Sequence, residues 1–214
     1  IKAVLEGQGG FAPKFANTTT NGEISIATGT NAGLKNLDDF TLVLHVTFST
    51  ADKDTEVLIA GQTDNHTHNI NRFSVSKNSS NQITVKLAGS TLNANSSVIC
   101  DGVTPTSIII TKKLNSNKPH KSKLYVNGVL EAVDTAGANV TTSGKFTLGG
   151  PRVAVLTKDT MTGLIEEVLI YNKCYDVVST SNEYIYNTVD TEELDSTDSN
   201  FTNNVLLVVA DYHN

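Results

Sequence analysis

The stretch 122–171 constrains the fold of this chain more than any other part of the sequence. It holds the alternating segment SKLYV, the pair Asn127-Gly128 and a second alternating segment, VLEA. An Asn-Gly pair between two such segments favours a tight hairpin turn, because both central residues of a type I′ turn need positive φ. The segments KFTLGG and GLIEEVLIYN that follow are also strand-like. This stretch therefore predicts an antiparallel sheet.

Strand-like segments separated by turn residues recur along the rest of the chain. In FTLVLHVTFST, for example, Leu42, Leu44 and Val46 alternate with residues of the opposite face. Short strands with a turn about every 8–12 residues are typical of an all-β sandwich or barrel. We therefore expect one all-β domain over 1–214, a sandwich of two antiparallel sheets with about six strands each. The other segments that predict strands are IKAVLEGQ, EISIAT, TEVLIAG, RFSVSK, QITVKLAG, SVICDG, TSIIITKKL and RVAVLT.

The last part of the chain contains the one helical pattern and a strongly apolar terminal segment. The spacing of apolar residues predicts at most one short helix near 181–194, and the acidic residues of 188–204 predict a surface loop. The segment 205–213 predicts a strand that needs a partner. Pairing with IKAVLEGQ would close the sheet. Without a partner in its own chain, this strand would be a candidate for self-association by exchange with a neighbouring molecule.

Charge and hydropathy exclude two classes of partner. The net charge of −6 argues against nucleic acid and anionic membranes, since both attract a positive surface. There is no run of about 18 apolar residues, so we expect no membrane insertion. A chain that begins with Ile1 predicts a processed start or an excised segment. Cys100 and Cys174 could form one disulfide or remain two thiols, and the sequence leaves both open.

Three consecutive motifs resemble those of the laminin G-like, concanavalin A-like jelly-roll family. They are the LYVNG hairpin, the strand end at Gly149-Gly150 and the strand GLIEEVLIYN. The resemblance covers about residues 38–176. The chain departs from the family pattern at Thr106-Ser107, where many relatives carry a Trp. The resemblance implies a concanavalin A-like jelly-roll sandwich, and it favours a binding or structural module over an enzyme.

One loop carries residue types that bind transition metals. Asp64, His66 and His68 follow one another at alternate positions, and alternate residues of an extended segment share a face. A polar surface loop between two strands would explain the same residues. The sequence places no further protein ligand beside them.

Calcium is the cation that the family resemblance implies most directly. This ion is held by carboxylate, amide and main-chain oxygens. No calcium-loop consensus occurs in the chain, so the candidates rest on residue type alone. These candidates are Asp52 and Asp54, Asp64 with Asn65, and Asp101 beside Gly102.

The acidic pair Glu166-Glu167 bears on whether the chain is an enzyme. Adjacent residues of a regular strand point to opposite faces, whereas a retaining glycosidase needs both carboxyls on one side, about 5 Å apart. The Glu-x-Asp-x-x-Glu pattern of jelly-roll glucanases is also absent. His45 lies among apolar residues, which is typical of a structural histidine. We therefore predict no catalytic residues and no enzymatic activity.

A carbohydrate site is expected where an aromatic ring stands among amide and carboxylate groups, because sugar C–H faces stack on aromatic rings. Tyr125 and Tyr171 belong to the family motifs and are expected in the core. Tyr175, together with Asn172 and Asp176, is the candidate for a glycan-binding loop rim.

The leading hypothesis is a non-enzymatic binding or adhesion module on an extracellular or virion surface, with a glycan or host-surface molecule as its ligand. The alternative is a structural decoration or fibre protein of a virus or phage particle, motivated by the polar composition and the apolar terminal strand. A glycoside hydrolase or polysaccharide lyase is disfavoured, because paired carboxylates on one face are not expected.

Overall fold

A computed structural model describes residues 34, 37–62, 73–114, 121–135, 139–141, 146–149, 161–175 and 177, together with the backbone of short strands at 2–5, 24–26, 159–160 and 204–210. Two sheets face each other around one apolar core. The expected all-β sandwich is confirmed. Among the described residues, no helix has the length and hydropathy needed to cross a bilayer.

Fourteen strands and one short 3-10 turn, Thr50–Asp52, make up the described secondary structure. In chain order the strands are β1 (Lys2–Leu5), β2 (Ile24–Ile26), β3 (Asp39–Thr47), β4 (Val57–Gln62), β5 (Phe73–Lys77), β6 (Gln82–Leu87), β7 (Ser90–Ser97), β8 (Pro105–Lys113), β9 (Ser122–Val126), β10 (Val129–Asp134), β11 (Phe146–Leu148), β12 (Asp159–Thr160), β13 (Leu164–Tyr171) and β14 (Asn204–Ala210).

The strands form two sheets, which we call sheet A and sheet B. Sheet A has the order β1-β14-β13-β3-β8-β9-β10, and sheet B has the order β2-β11-β4-β5-β6-β7 with β12 beside β4. Neighbouring strands are antiparallel except for two parallel pairs, β1 with β14 and β12 with β4. The chain therefore starts and ends in sheet A.

The core follows from the alternation of apolar residues along the strands. In β3, Leu42, Leu44 and Val46 are fully buried between the sheets. Fully burying one such side chain contributes about 1.5–3 kcal/mol, so this layer dominates the stability of the fold. A second apolar cluster covers the outer face of sheet A and contains Val43, Ile109, Tyr125, Leu169, Tyr171 and Tyr175.

The terminal strand pairs within its own chain. β14 lies between β13 and β1, with Leu207 opposite Lys2 and Leu169. The expected pairing of the two chain ends is confirmed. Because β14 has a neighbour on both sides, the condition stated for strand exchange is not met. Three predicted elements lie outside the described residues. They are the helix at 181–194, the strand at 152–157 and the acidic loop before Asn204.

Two details of the strand prediction are wrong. In the segment SVICDG, Ser97 ends β7 and the other residues form a loop, in which Cys100 makes an isolated bridge to Phe48. The strand β7 itself was not predicted, because Leu92 and Ala94 are its buried residues and the rest of STLNANSS is polar. A strand that faces solvent along most of its length carries too few apolar residues to show an alternating pattern.

The predicted hairpin turn is confirmed. Asn127 and Gly128 have φ values of 49° and 78°, as a type I′ turn requires. The Asn127 Oδ1 also accepts a hydrogen bond of 2.9 Å from the main-chain N–H of Ser107. This bond fixes the β9–β10 hairpin to β8.

One carboxylate joins the edges of the two sheets. Glu131 of β10 accepts hydrogen bonds from the N–H groups of Asn95 (2.8 Å) and Ser96 (3.1 Å) and from the Ser96 hydroxyl (2.5 Å). The Ser96 hydroxyl, followed by the main-chain bonds, lowers the pKa of Glu131 from its ordinary 4.5. The sandwich is thereby closed on this side by side-chain contacts between β10 and β7.

The Glu131→Gln variant should be less stable than the wild type at pH 7. We expect the difference in the free energy of unfolding to be less than about 1 kcal/mol, because the carboxylate is largely exposed. The pKa of this carboxylate is lower in the folded protein than in the unfolded chain. Its ionised form therefore stabilises the folded protein at pH values above the unfolded pKa, and this contribution is lost as the pH falls through the folded pKa. The difference should therefore shrink on acidification below pH 4.5. Thermal unfolding from pH 7 to pH 3 measures it, and a constant difference would contradict this role.

Candidate functional site

The part of the outer face of sheet A around Val43, Ile109 and Leu169 is apolar and closed. Val43 and Leu169 on this face have no exposed surface. The loop after β13 packs over it, since the Thr41 hydroxyl donates to the Lys173 carbonyl at 2.9 Å and accepts from the Tyr175 N–H at 2.9 Å. This part of sheet A is therefore used for internal packing and offers no open surface to a ligand.

The outer face of sheet B has the opposite character. Its side chains are hydroxyl, amide and ammonium groups, with Leu58 as an apolar residue buried at one end. We call this surface the polar face. Its members are Gly61, Ser74, Ser76, Thr84, Lys86, Thr91, Asn93 and Thr147.

The strand register aligns five members of the polar face in one row across the sheet. Thr147 stands opposite Gly61, Gly61 opposite Ser74, Ser74 opposite Lys86, and Lys86 opposite Thr91. Neighbouring strands lie about 4.8 Å apart, so this row is about 19 Å long. Of its five members, only Lys86 and Thr91 reach solvent, since Thr147, Gly61 and Ser74 are buried.

The polar face is exposed at one end and buried at the other. Thr91 and Asn93 on β7 are exposed, whereas Ser74 and Thr147 are buried. At Gly61 a Cβ atom would make only ordinary contacts of 3.7 Å, one of them to the Thr147 hydroxyl. The burial of Ser74 and Thr147 means that other residues cover this end, so the part of the polar face open to solvent is the end at β6 and β7.

Beside this row lie two paired polar side chains. The Thr84 hydroxyl donates to Asn93 Oδ1 at 3.1 Å. This bond fixes the amide so that its NH₂ group points away from Thr84, on the exposed side of β7. Amide and hydroxyl groups held in this way are suited to hydrogen bonding with the hydroxyls of a sugar.

The glycan-binding rim predicted from the sequence is not assembled as expected. Asn172 is exposed, but Tyr175 is only 9% exposed and its ring packs edge-on against Tyr171, with centroids 5.4 Å apart. The Lys173 ammonium lies 5.1 Å from the Tyr175 ring centre. Tyr175 therefore presents no open face for stacking. Asp176 lies outside the described residues.

The two aspartates of the 49–55 loop bind protein groups. The buried Asp52 carboxylate accepts from the N–H of Thr162 (2.8 Å) through Oδ1 and from the N–H of Ser49 (3.0 Å) through Oδ2. Asp54 Oδ1 accepts from the Asn81 side-chain amide at 2.7 Å. Asp52 therefore caps the 3-10 turn and holds the chain that leads into β13.

A buried lysine provides the positive charge near these aspartates. Lys77 has no exposed surface, and its Nζ donates to the carbonyls of Thr55 (2.7 Å) and Asn78 (3.3 Å) and to Asn81 Oδ1 (3.0 Å). Burial lowers the pKa of Lys77, whereas Cys100, Asp52 and Asp54 act to raise it. The Lys77 ammonium thus supplies a hydrogen-bond donor to each of these three oxygens.

A second buried lysine repeats this arrangement. Lys112 Nζ donates to the carbonyls of Leu37 (2.9 Å) and Asp38 (3.2 Å) and to Asn139 Oδ1, and it lies 5.9 Å from the Phe40 ring centre. Both lysines thus bind two main-chain oxygens and one asparagine oxygen.

Of the other predicted cation ligands, the structure describes only Asp101 and Gly102. Asp101 accepts from the N–H groups of Val103 (2.8 Å) and Thr104 (2.7 Å), and the bonds from Thr104 and Val103 lower the pKa of Asp101 to about 2. Asp64, His66 and His68 lie outside the described residues. In the described part of the chain, no three His, Cys, Asp or Glu residues are grouped as metal ligands.

The expectation that Glu166 and Glu167 point to opposite faces is wrong. A β-bulge in β13 makes Ile165 pair with Val46 and Glu167 with His45, so Glu166 is the inserted residue. Its carboxylate accepts from the Thr47 hydroxyl at 3.1 Å. Thr47 and His45 are alternate residues of β3 and share the outer face of sheet A. Both glutamates therefore lie toward that face.

Cys100 and Cys174 are free thiols. Cys100 packs against the core between the sheets, whereas Cys174 follows β13 beside Tyr175 on the outer side of sheet A. Sheet A separates the two residues. Of the two possibilities that the sequence left open, the structure has the unpaired thiols.

The strand order of the two sheets and the family comparison agree on the class of fold. The chain belongs to the concanavalin A-like lectin/glucanases superfamily, whose family model matches residues 18–177. This confirms the resemblance seen in the hairpin and in β13. No curated protein sequence matches the chain.

Solved structures with the same fold include sialidase domains. The CBM40 of the Ruminococcus gnavus IT-sialidase, with α2,3-sialyllactose bound, superimposes with a TM-score of 0.52 at 17% identity, covering 72% of this chain and 91% of that one. The same CBM40 with α2,6-sialyllactose gives 0.52 at 16% identity, covering 72% and 92%. The NanB sialidase of Streptococcus pneumoniae gives 0.59 at 16% identity, covering 88% of this chain but 30% of NanB. At these identities the likeness establishes the fold.

Proposed function

We propose that this chain is a non-enzymatic carbohydrate-binding module and that the polar face of sheet B is its sugar site. The observation that carries the proposal is the solvent-exposed end of the polar face, where Thr91 and Asn93 of β7 stand beside Thr84 and Lys86 of β6. Hydroxyl, amide and ammonium groups in this arrangement match the hydrogen-bonding pattern of a sugar. The bound sialyllactose in the CBM40 structures of the same fold supports this ligand class.

The contrast between the two outer faces supports this location. The apolar part of the outer face of sheet A is buried beside the loop that contains Lys173 and Tyr175. A surface ligand cannot displace that packing without losing the burial of several large apolar side chains, each worth about 1.5–3 kcal/mol. The polar face, by contrast, presents the exposed residues Thr91 and Asn93.

The non-enzymatic part of the proposal rests on burial. Glu167, His45 and Ser107 stand in register across β13, β3 and β8 and have the residue types of a catalytic carboxylate, base and nucleophile. Each is less than 9% exposed, however, and the Ser107 hydroxyl makes no hydrogen bond within the described part of the chain. Little of these three side chains is therefore open to a substrate.

Glycan-array binding of the wild-type chain, with calcium and again with EDTA, tests the proposal. The Thr84→Ala/Asn93→Ala variant should bind the recognised glycan about 3- to 30-fold more weakly, because each lost hydrogen bond contributes about 0.5–1.5 kcal/mol. Both side chains lie on the surface, so the melting temperature should remain within a few degrees of the wild type.

The Asn172→Ala variant separates this site from the loop rim predicted from the sequence. Asn172 lies on the side of sheet A, away from the polar face, so its loss should leave glycan affinity unchanged. If Asn172→Ala abolishes binding and the double variant does not, the site is misplaced. Absence of binding to any glycan in both buffers would overturn the function itself, and loss with EDTA alone would add a required cation.

A further inference from the structure

The turn between β5 and β6 presents a side-chain amide that uses only its oxygen. Asn78 Oδ1 accepts hydrogen bonds of 2.9 Å from the main-chain N–H groups of Ser80 and Gln82. These bonds direct the oxygen into the turn, so the NH₂ group, on the other side of the same planar amide, points away from it. In the part of the chain that the structure describes, this NH₂ group makes no hydrogen bond. Asn78 is partly exposed and its neighbours Ser79 and Ser80 are exposed, so the amide nitrogen faces solvent.

Asn78 also begins an Asn-Ser-Ser triplet, which has the acceptor pattern of N-glycosylation. Two other triplets of this pattern lie among the described residues, beginning at Asn95 and Asn139. In both of them the NH₂ group is bound by the protein. Asn95 Nδ2 donates to the Glu131 carbonyl at 3.1 Å, and Asn139 Nδ2 donates to Asp38 Oδ1. Asn78 therefore differs from these two asparagines in having a free amide nitrogen.

The contacts of Asn95 and Asn139 also belong to the packing of the fold. Asn95 lies where β7 meets Glu131 of β10, and Asn139 Oδ1 accepts from the buried Lys112 ammonium. A glycan is bulky and extends into solvent. On either of these two nitrogens it would take the place of a protein partner. On Asn78 it would leave both hydrogen bonds of the turn in place, because a glycosylated amide keeps its oxygen.

We propose that Asn78 is an N-glycan acceptor site that takes its sugar from a glycosyl pyrophosphate donor. The proposal is independent of the sugar site on sheet B. In the transfer, Asn78 Nδ2 forms a bond to the anomeric carbon of the sugar, and the bond from that carbon to the pyrophosphate oxygen breaks. The pyrophosphate leaves with the bonding electrons, and one amide proton passes to a base of the transferase. Lipid-linked oligosaccharides and nucleotide-activated sugars share this linkage, so either can be the donor.

Glycosylation of the full chain in two ways tests the proposal. In one arm the folded, unmodified chain is incubated with a soluble N-glycosyltransferase and a nucleotide-activated hexose. In the other arm the chain is secreted from cultured animal cells, which supply a lipid-linked oligosaccharide. Mass mapping of peptides gives the occupied fraction of each triplet separately, so the triplets at 17, 65 and 200, outside the described residues, do not enter the comparison. We expect the occupancy of Asn78 to exceed that of Asn95 and Asn139 by about 3- to 10-fold, because modification of the latter two breaks a hydrogen bond.

Two serine variants provide matched controls. Ser80→Ala removes the hydroxyl that the acceptor pattern requires, but it keeps the N–H that bonds to Asn78 and the carbonyl that accepts from the Ser97 hydroxyl. This variant should lose the modification at Asn78, whereas Ser79→Ala should keep it. Both variants should melt within a few degrees of the wild type, because both side chains lie on the surface.

Each outcome of the two arms bears on the proposal. Modification of Asn78 in one arm alone supports the site and identifies the donor as lipid-linked or nucleotide-activated. The proposal is overturned if Asn78 stays unmodified in both arms, or if Asn95 or Asn139 is occupied as fully as Asn78. Retention of the modification in Ser80→Ala would also overturn it.

Discussion

The Gly163→Ala variant should lose about 3 kcal/mol or more of its free energy of unfolding, which lowers the melting temperature by about 10 °C in a chain of this size. A Cβ atom at this position would overlap the main-chain carbonyl oxygen of Thr47 and lie 2.9 Å from the carbonyl carbon. Thr47 belongs to β3, which is paired on both sides in sheet A and cannot move aside. Urea unfolding and calorimetry measure the loss.

Two other glycines provide matched controls for this effect. At Gly61 a Cβ atom would find only contacts of 3.7 Å, so Gly61→Ala should change stability by less than about 1 kcal/mol. Gly102 has open space around it but a φ of +79°, so Gly102→Ala should cost about 1–2 kcal/mol through backbone strain alone. If the Gly163→Ala and Gly61→Ala variants have the same melting temperature, β13 does not approach β3 as described.

The Lys77→Met variant should lose about 2–4 kcal/mol, because it leaves buried oxygens without a donor. These oxygens are the carbonyls of Thr55 and Asn78 and the side-chain oxygen of Asn81. Methionine has a similar length and fills the same space, so the loss reports on the ammonium rather than on a cavity. The midpoint of urea unfolding at constant m-value measures it.

The Lys53→Met variant is the control for the loss of a lysine charge. Lys53 lies in the same loop but is exposed, so its replacement should change stability by no more than about 0.5 kcal/mol. Added calcium should not restore Lys77→Met, because the methionine side chain occupies the position of the ammonium. An equal loss in both variants would show that net charge matters rather than the buried hydrogen bonds.

The overall fold could be predicted because its signals are local. One such signal is the Asn127-Gly128 pair, where a hairpin turn requires positive φ. Another is the alternation of Leu42, Leu44 and Val46 along β3. Each signal lies within a single segment of the sequence. The buried lysines also carry a local signal, which the sequence analysis missed. Lys77 follows Phe73 and Val75 at alternate positions, and Lys112 follows Ile108 and Ile110 in the same way, so both stand on an inward face.

The candidate site could not be predicted because it depends on register between distant segments. The row contains residues from separate strands, such as Thr147, Gly61 and Lys86. The sequence of any one of these strands does not reveal which residues of the other strands stand beside it. The bulge at Glu166 is likewise visible only in the pairing of β13 with β3. Tyr175 was misplaced because an aromatic residue after a strand can either be presented to solvent or fold back onto the sheet, as it does here against Tyr171.

The placement of the first and last strands determines how the molecule can be attached to something else. β1 and β14 are neighbours in sheet A, whereas the polar face is the outer side of sheet B. A tether, fusion partner or solid support joined beyond either strand therefore starts from the back of the sandwich and leaves the front unobstructed. Many copies fixed to one support in this way would all present their polar faces outward, and with the proposed function weak individual contacts would add up to avid binding.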